Sequence, residues 1–326
     1  MMGRLLAAGV LFVLAAMAAG DSWQAANASG RPTGVAAPVP ALDPHPVVAL
    51  TFDDLPTAGG LLPGQTRAEI AASLAAELKA HHLEGVYGFV NAVDLEGNPD
   101  AQQALRIWVR AGMNIGNHTW SHPSLTDVTA AAYEHDIARN EPTLAEHAQG
   151  RDWRWFRYPY LEEGDTLEKR HAVRAWLRAR GYRVAQVTLN FNDDEWADAY
   201  NRCAARQDDA AIAWLRRSYL ENAKEFIRVG REEQQIAFGR EIPNVLLLHE
   251  TAFTTQMLPA LLELLGRQGF RFAPLAKIER DPAYSLDPDA ALKDGGSLPN
   301  QFLNSRHLKY PPFKPEPFDK LETLCK

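Results

Sequence analysis

Asp53 and Asp54 close the apolar run Val47-Val48-Ala49-Leu50-Thr51-Phe52 and stand just before Leu55-Pro56. Such a run reads as a buried strand of parallel type that delivers acidic groups to its C-terminal end. Successive strand side chains face opposite ways, so the two carboxylates share a site only where the strand turns, and Pro56 marks such a turn. Adjacent carboxylates also repel, and a nearby cation lets both stay ionised. In His118-Thr119-Trp120-Ser121-His122-Pro123 two histidines stand four apart. They can converge on one metal if the chain turns tightly, and Pro123 disfavours helical backbone at His122, which places both in a loop. Ten histidines in 326 residues give about 0.3 such pairs by chance, so the weight lies on their position after a strand.

Phe156-Arg157-Tyr158-Pro159-Tyr160 is the third polar segment. Arg157 can hold a carboxylate through paired hydrogen bonds, and because Pro159 lacks an N–H, Tyr160 is the next main-chain donor, available to an oxyanion. Val245-Leu246-Leu247-Leu248-His249 ends an apolar strand in an imidazole placed for proton transfer, with Leu247 on the same face. A neighbouring carboxylate would raise the pKa of His249 and let it serve as an acid near neutral pH. The cluster Asn190-Phe191-Asn192-Asp193-Asp194-Glu195-Trp196 can supply one. Taken singly, each segment has a plainer account as a solvated acidic loop, a pair of hydrogen-bonded histidines or a surface arginine.

The elements that must position these groups are short apolar runs alternating with amphipathic segments. Strands are expected near 47–53, 85–90, 113–117, 154–158, 183–189, 244–249 and 270–274, and helices near 66–81, 100–111, 127–148, 166–180, 208–239 and 255–268. This α/β alternation implies parallel strands with crossover helices, and seven strands can nearly close a barrel; an open doubly wound sheet is the alternative. All five polar segments fall after a strand and before a helix. In a (β/α) barrel those loops share the face at the C-terminal ends of the strands, where active sites are built.

With 46% hydrophobic residues, the chain can bury a sizeable core, and its net charge of −7 leaves no basic footprint for nucleic acid. Residues 1–20 carry Arg4, an apolar run from Leu5 to Leu14 and Ala16-Met17-Ala18, the pattern of a secretory signal peptide, with an uncleaved anchor as the alternative. The run is short for a spanning helix and no cysteine stands near the cut for lipid attachment. A periplasmic or secreted protein without stable membrane insertion after cleavage is therefore expected. Residues 21–46 read as a flexible leader, 47–280 as the barrel, and 281–326, with Gly295-Gly296 and a proline-rich run from Pro311 to Pro317, as an extended tail. Cys203 and Cys325 can pair in an oxidising compartment, although spacing alone does not establish the geometry. No pattern in the chain speaks to oligomeric state.

Thr51-Phe52-Asp53-Asp54, His118-x-x-x-His122-Pro123, Arg157-x-Pro159-Tyr160 and Leu247-Leu248-His249, in this order, resemble the motifs of the polysaccharide deacetylase family, also called carbohydrate esterase family four or the NodB-homology domain. The resemblance spans roughly residues 47 to 275. It implies a distorted seven-stranded (β/α) barrel and a divalent metal, zinc in the first place with cobalt or nickel as alternatives, used to remove acetyl groups from a carbohydrate. It also implies Asp54, His118 and His122 as metal ligands, Asp53 as general base, His249 as general acid, and Arg157 as the partner orienting Asp53. The Tyr160 N–H becomes an oxyanion donor and Leu247 part of the acetyl-methyl pocket.

The fourth family motif is blurred. Asn190 occupies the expected first acidic place and Trp196 stands further on; Asp193 is the better candidate for tuning His249, with Asp194 the alternative. The segment 197–243 exceeds one crossover helix and is expected to wall the cleft at one end, which would favour short oligosaccharides or chain ends. Two other readings remain: the same site acting on a non-sugar amide, or a non-catalytic carbohydrate-binding barrel that stacks sugars on Trp120, Trp153, Trp155 and Trp196.

Overall fold

The computed structural model describes residues 45–314 and 317–326. The expected signal peptide, and all of the expected leader except its last two residues, lie outside the described residues. The elements run β1 (Val47–Leu55), α1 (Arg67–Ala80), β2 (Tyr87–Val90), α2 (Pro99–Arg110), β3 (Asn114–Asn117), α3 (Ala130–His147), β4 (Trp155–Phe156), α4 (Leu167–Ala179) and β5 (Arg183–Val184). They continue through α5 (Glu195–Ala205), α6 (Asp209–Phe238), β6 (Asn244–His249), α7 (Ala252–Arg267), β7 (Arg271–Phe272), α8 (Leu275–Ile278), α9 (Leu298–Ser305) and α10 (Phe318–Thr323). No described helix is long and apolar enough to cross a membrane.

All strand pairings are parallel, in the order β5-β4-β3-β2-β1-β6, with β7 paired to the start of β1. The expected strand at 183–189 changes partner midway: the Ala185 N–H bonds Phe156 O on β4, whereas the Thr188 and Leu189 N–H groups bond Val245 O on β6. A bridge from Leu189 to Leu246 then joins the two edges of the sheet, which makes a distorted seven-stranded (β/α) barrel rather than an open sheet.

Period-two alternation decides which side chains line that barrel. Val48, Leu50 and Phe52 pack outward against Leu74, Leu105 and Leu258 of the surrounding helices. Ala49, Tyr87, Phe89, Trp155, Ala185 and Val245 form a separate enclosed cluster, joined near the start of β1 by Leu275 and Ile278 of α8. Following the inward positions two residues at a time along the strands leads to Asp53, Arg157, Leu247 and His249. The barrel interior therefore becomes polar toward the C-terminal ends of its strands.

Residues 281–326 depart from the expected extended tail. They contain α9, whose Leu298, Phe302 and Leu303 are buried with Ala237 of α6, and α10, whose Leu321 joins the main core. Prolines hid these turns because Pro299 sits in the first turn of α9 and Pro317 just precedes α10, positions where a missing N–H costs little. Cys203 on α5 and Cys325 after α10 form a disulfide.

Candidate active site

The site begins with a backbone irregularity. Asp54 adopts φ 60, and the pairing of β1 with β2 shifts between Phe52 and Leu55. A left-handed residue at the strand end redirects a side chain that alternation would send outward, so Asp54 joins Asp53 at one cavity. Asp53 is 2% exposed. Its oxygens lie 3.3 and 3.4 Å from Nη1 of Arg157, which is itself buried and fixed by Ala185 O at 2.8 Å and Thr51 Oγ1 at 3.1 Å.

His118 and His122 stand in a loop after β3 that turns twice through left-handed backbone, at Thr119 and at His122 itself. Polar side chains hold it: Asn117 Oδ1 accepts from Thr119 N at 2.9 Å, Thr119 Oγ1 from His122 N at 3.0 Å, and Asn91 donates to His118 O at 2.6 Å. Asn140 bonds Asn117 Oδ1 and Val90 O, and Asp136 accepts from Trp120 N and Ser121 N. Sequence reasoning missed these supporting residues, because isolated asparagines carry no spacing signal.

Asp54 Oδ1 lies 3.4 Å from His118 Nε2 and 3.3 Å from His122 Nε2, and is buried without a hydrogen-bond partner. Burial alone would raise the pKa of Asp54, but His118, His249 and His122 together hold it below the usual carboxylate range. His122 is pushed down to about 4, by burial first and by His118 second. An orphaned carboxylate oxygen facing two imidazole nitrogens, one of them kept neutral, suits three ligands to a divalent cation with positions left open.

Across the cavity, His249 Nδ1 meets Asp193 Oδ1 at 2.8 Å, and Asp193 Oδ2 accepts from the His249 N–H at 3.0 Å and from Thr254 Oγ1 at 2.6 Å. Asp194 Oδ1 is further from Nδ1, at 3.4 Å. Burial would lower the pKa of His249, but Asp194 and Asp193 raise it well above the ordinary histidine value. Thr254, on α7, is a further residue that no sequence signal revealed.

The cavity measures about 250 Å³ and is lined by Asp53, Asp54, His118, His122, Tyr160, Leu161, Asn190, Asn192, Asp194, Glu195, Leu247 and His249. Tyr160 occupies left-handed backbone, φ 57, with its ring 4.5 Å from that of His122. Two expectations require correction. Trp196 has no exposed surface; its Nε1–H bonds Ser218 Oγ at 2.9 Å and its ring meets Tyr219 and Phe318, so it packs the core and offers no face to a sugar. Trp155 is likewise buried, and Trp120 is covered by the Arg139 guanidinium at 3.1 Å. Nor does segment 197–243 wall the cleft at one end alone. A cavity of about 400 Å³ sharing Asp54, Asp194 and Glu195 is lined by α5, and another of about 290 Å³ sharing Tyr160, Leu161, Asn190 and Asn192 is lined by α6.

Residues 42–184 match the sequence profile described as polysaccharide deacetylase. The peptidoglycan-N-acetylglucosamine deacetylase of Bacillus cereus is 28% identical over 146 residues, 45% of this chain and 46% of its own, so the chain spans less than half of that curated relative. Among solved structures, a CE4 family pseudoenzyme from Bacillus anthracis shares 16% identity at a TM-score of 0.48, covering 72% of this chain and 65% of its own. The chitin deacetylase from Colletotrichum lindemuthianum shares 19% at a TM-score of 0.49, covering 72% and 88%. The segment that carries Asp53, Asp54, His118, His122 and Arg157 is thus similar to the polysaccharide deacetylase family.

Proposed function

We propose that this chain is a metal-dependent hydrolase that removes acetyl groups from a carbohydrate outside the cytoplasm. One observation carries the reading: the orphaned Asp54 oxygen and two imidazoles share a cavity with a carboxylate held by Arg157 and an imidazole held by Asp193. The disulfide supports an oxidising compartment. The donor set of one carboxylate and two imidazoles suits zinc first, then cobalt or nickel.

When bound by Asp54, His118 and His122, a divalent ion supplies Lewis-acid polarisation of the acetyl carbonyl and makes water easier to deprotonate. Asp53, fixed by Arg157, takes the proton of the attacking water at its carboxylate. The Tyr160 N–H serves as oxyanion donor, a contribution of about 3 kcal/mol per donor in other hydrolases. Leu247 offers apolar surface to the acetyl methyl, and His249 gives its proton to the departing nitrogen or oxygen. Asp193 fixes the imidazole and favours its charged form until that transfer.

Acetate release from acetylated peptidoglycan, chitin oligomers and xylan, measured with metal analysis of the same preparation, tests this function. Release that needs both the metal and Asp53 is the expected result. Sugar binding that survives Asp53→Asn, with no acetate from the parent protein under any metal, would replace it with the binding-protein reading.

A further inference from the structure

The cavity of about 290 Å³ beside the catalytic one has a distinct chemical character. It shares Tyr160, Leu161, Asn190 and Asn192 with the catalytic cavity, so a chain seated in one continues into the other. Its remaining walls come from Thr188 and Leu189, from α6, from the segment leading into α9 and from Asn300 of α9 itself. Two glycines permit this construction. Gly230 lets α6 lie against the 188–189 segment, where a Cβ would stand 2.6 Å from Leu189 and 3.2 Å from Thr188 O. Gly295, at φ 66, lets the tail meet Tyr160 O and Leu161 so closely that a Cβ would collide with both.

Glu233 stands in this wall and is only 7% exposed. The polar group beside its carboxyl is the Asn300 side chain, and among the described residues no lysine, arginine or histidine lines the cavity. Asp294 adds a second acid at the exposed rim, and half-buried Phe226 adds an apolar face. A nearly buried carboxyl without a cation is costly when ionised, and burial pushes Glu233 up to about 7. A cationic ligand would reverse that cost.

We propose that this cavity is a subsite for a sugar unit bearing a free ammonium group, so that the preferred substrate is an amino-sugar polymer already partly N-deacetylated. This rests on the deacetylase reading, which places the acetylated neighbour in the adjoining cavity. Glu233 receives the ammonium, Asn300 and Asn190 contact ring hydroxyls, and Phe226 lies against the apolar face of the ring.

The test is calorimetric binding of glucosamine tetramer and of N-acetylglucosamine tetramer, at neutral pH, to the metal-loaded full chain and to Glu233→Gln. The wild-type chain should bind the glucosamine tetramer, and the variant should bind it at least about tenfold more weakly, as expected for a buried charge-assisted contact, while the acetylated tetramer changes less than about twofold. Glu233→Asp, which keeps the charge, should recover part of the loss, and thermal unfolding checks that each variant is folded. Equal weakening toward both tetramers, or no binding of the glucosamine tetramer by wild type, overturns the proposal. Acetate release is scored separately. Glu233-dependent amine binding with no acetate from any sugar would sink the deacetylase reading and leave the amine site standing, and acetate release with Glu233-independent binding would do the reverse.

Discussion

The Nδ1 of His118 lies 2.8 Å from the main-chain oxygen of Arg157. A carbonyl oxygen only accepts, so Nδ1 carries a proton, and Nε2, 3.4 Å from Asp54 Oδ1, is the nitrogen turned toward the proposed metal position. The same arginine thus sets the tautomer of one proposed ligand through its backbone and holds the proposed base through its side chain. With the ligand pre-set, Asp54→Ala should lose bound zinc, from about one equivalent in the parent to a small residue by atomic emission. Full metal content in that variant would place the ligands elsewhere.

Asp193→Asn should lower kcat by about 10² to 10⁴, because His249 loses the group that fixes its ring. The pH profile gives a sharper readout. Asp194 and Asp193 raise the pKa of His249, and the acid form is the active one, so activity falls as pH rises through that pKa. Removing the Asp193 charge lowers the pKa, and the alkaline fall should begin at lower pH. An unmoved alkaline limb would mean that another group is the acid.

Glu233→Gln should stabilise the protein in a pH-dependent way. The folded pKa is raised from about 4.5 to about 7, so the folded state binds the proton more tightly than the unfolded chain. The associated stability is fully present below pH 4.5 and is lost as pH rises through 7. Glutamine suffers no such loss, so the variant should gain about 2 to 3 kcal/mol on the parent between acidic and mildly alkaline buffer. Denaturant midpoints at the two pH values measure this, and a constant difference would contradict it.

Cys325→Ser should cost about 2 to 4 kcal/mol in chemical denaturation, since the bridge spans 122 residues of sequence. It should also raise KM for long substrates while leaving metal content unchanged, because Leu321, Glu322 and Lys326 line the larger adjoining cavity beside Asp194. Unchanged KM would show that α10 only braces the fold.

Trp196→Phe should lower stability by about 1 to 3 kcal/mol through loss of the Ser218 hydrogen bond and of packing against Tyr219, with sugar affinity unaltered. Weakened sugar binding in a folded variant would restore a role at the surface.

The sequence by itself determined the order of strands and crossover helices, and with it the polar end of the barrel, because period-two burial and loop position are local properties that each segment carries in its own residues. Asp53, Arg157, Leu247 and His249 were legible on that ground, as inward positions near strand ends. Tertiary structure decided the remainder. Left-handed backbone at Asp54, Thr119 and His122 brings two acids and two imidazoles together, and the histidine loop is held in that shape by the side chains of Asn91, Asn117 and Asn140, which lie far apart in the chain. The burial of Trp196, the docking of α9 and α10, and the Cys203–Cys325 bridge likewise depend on contacts between segments far apart in the chain. Such contacts leave no periodic trace, because their energy comes from surfaces that meet only once the barrel has closed.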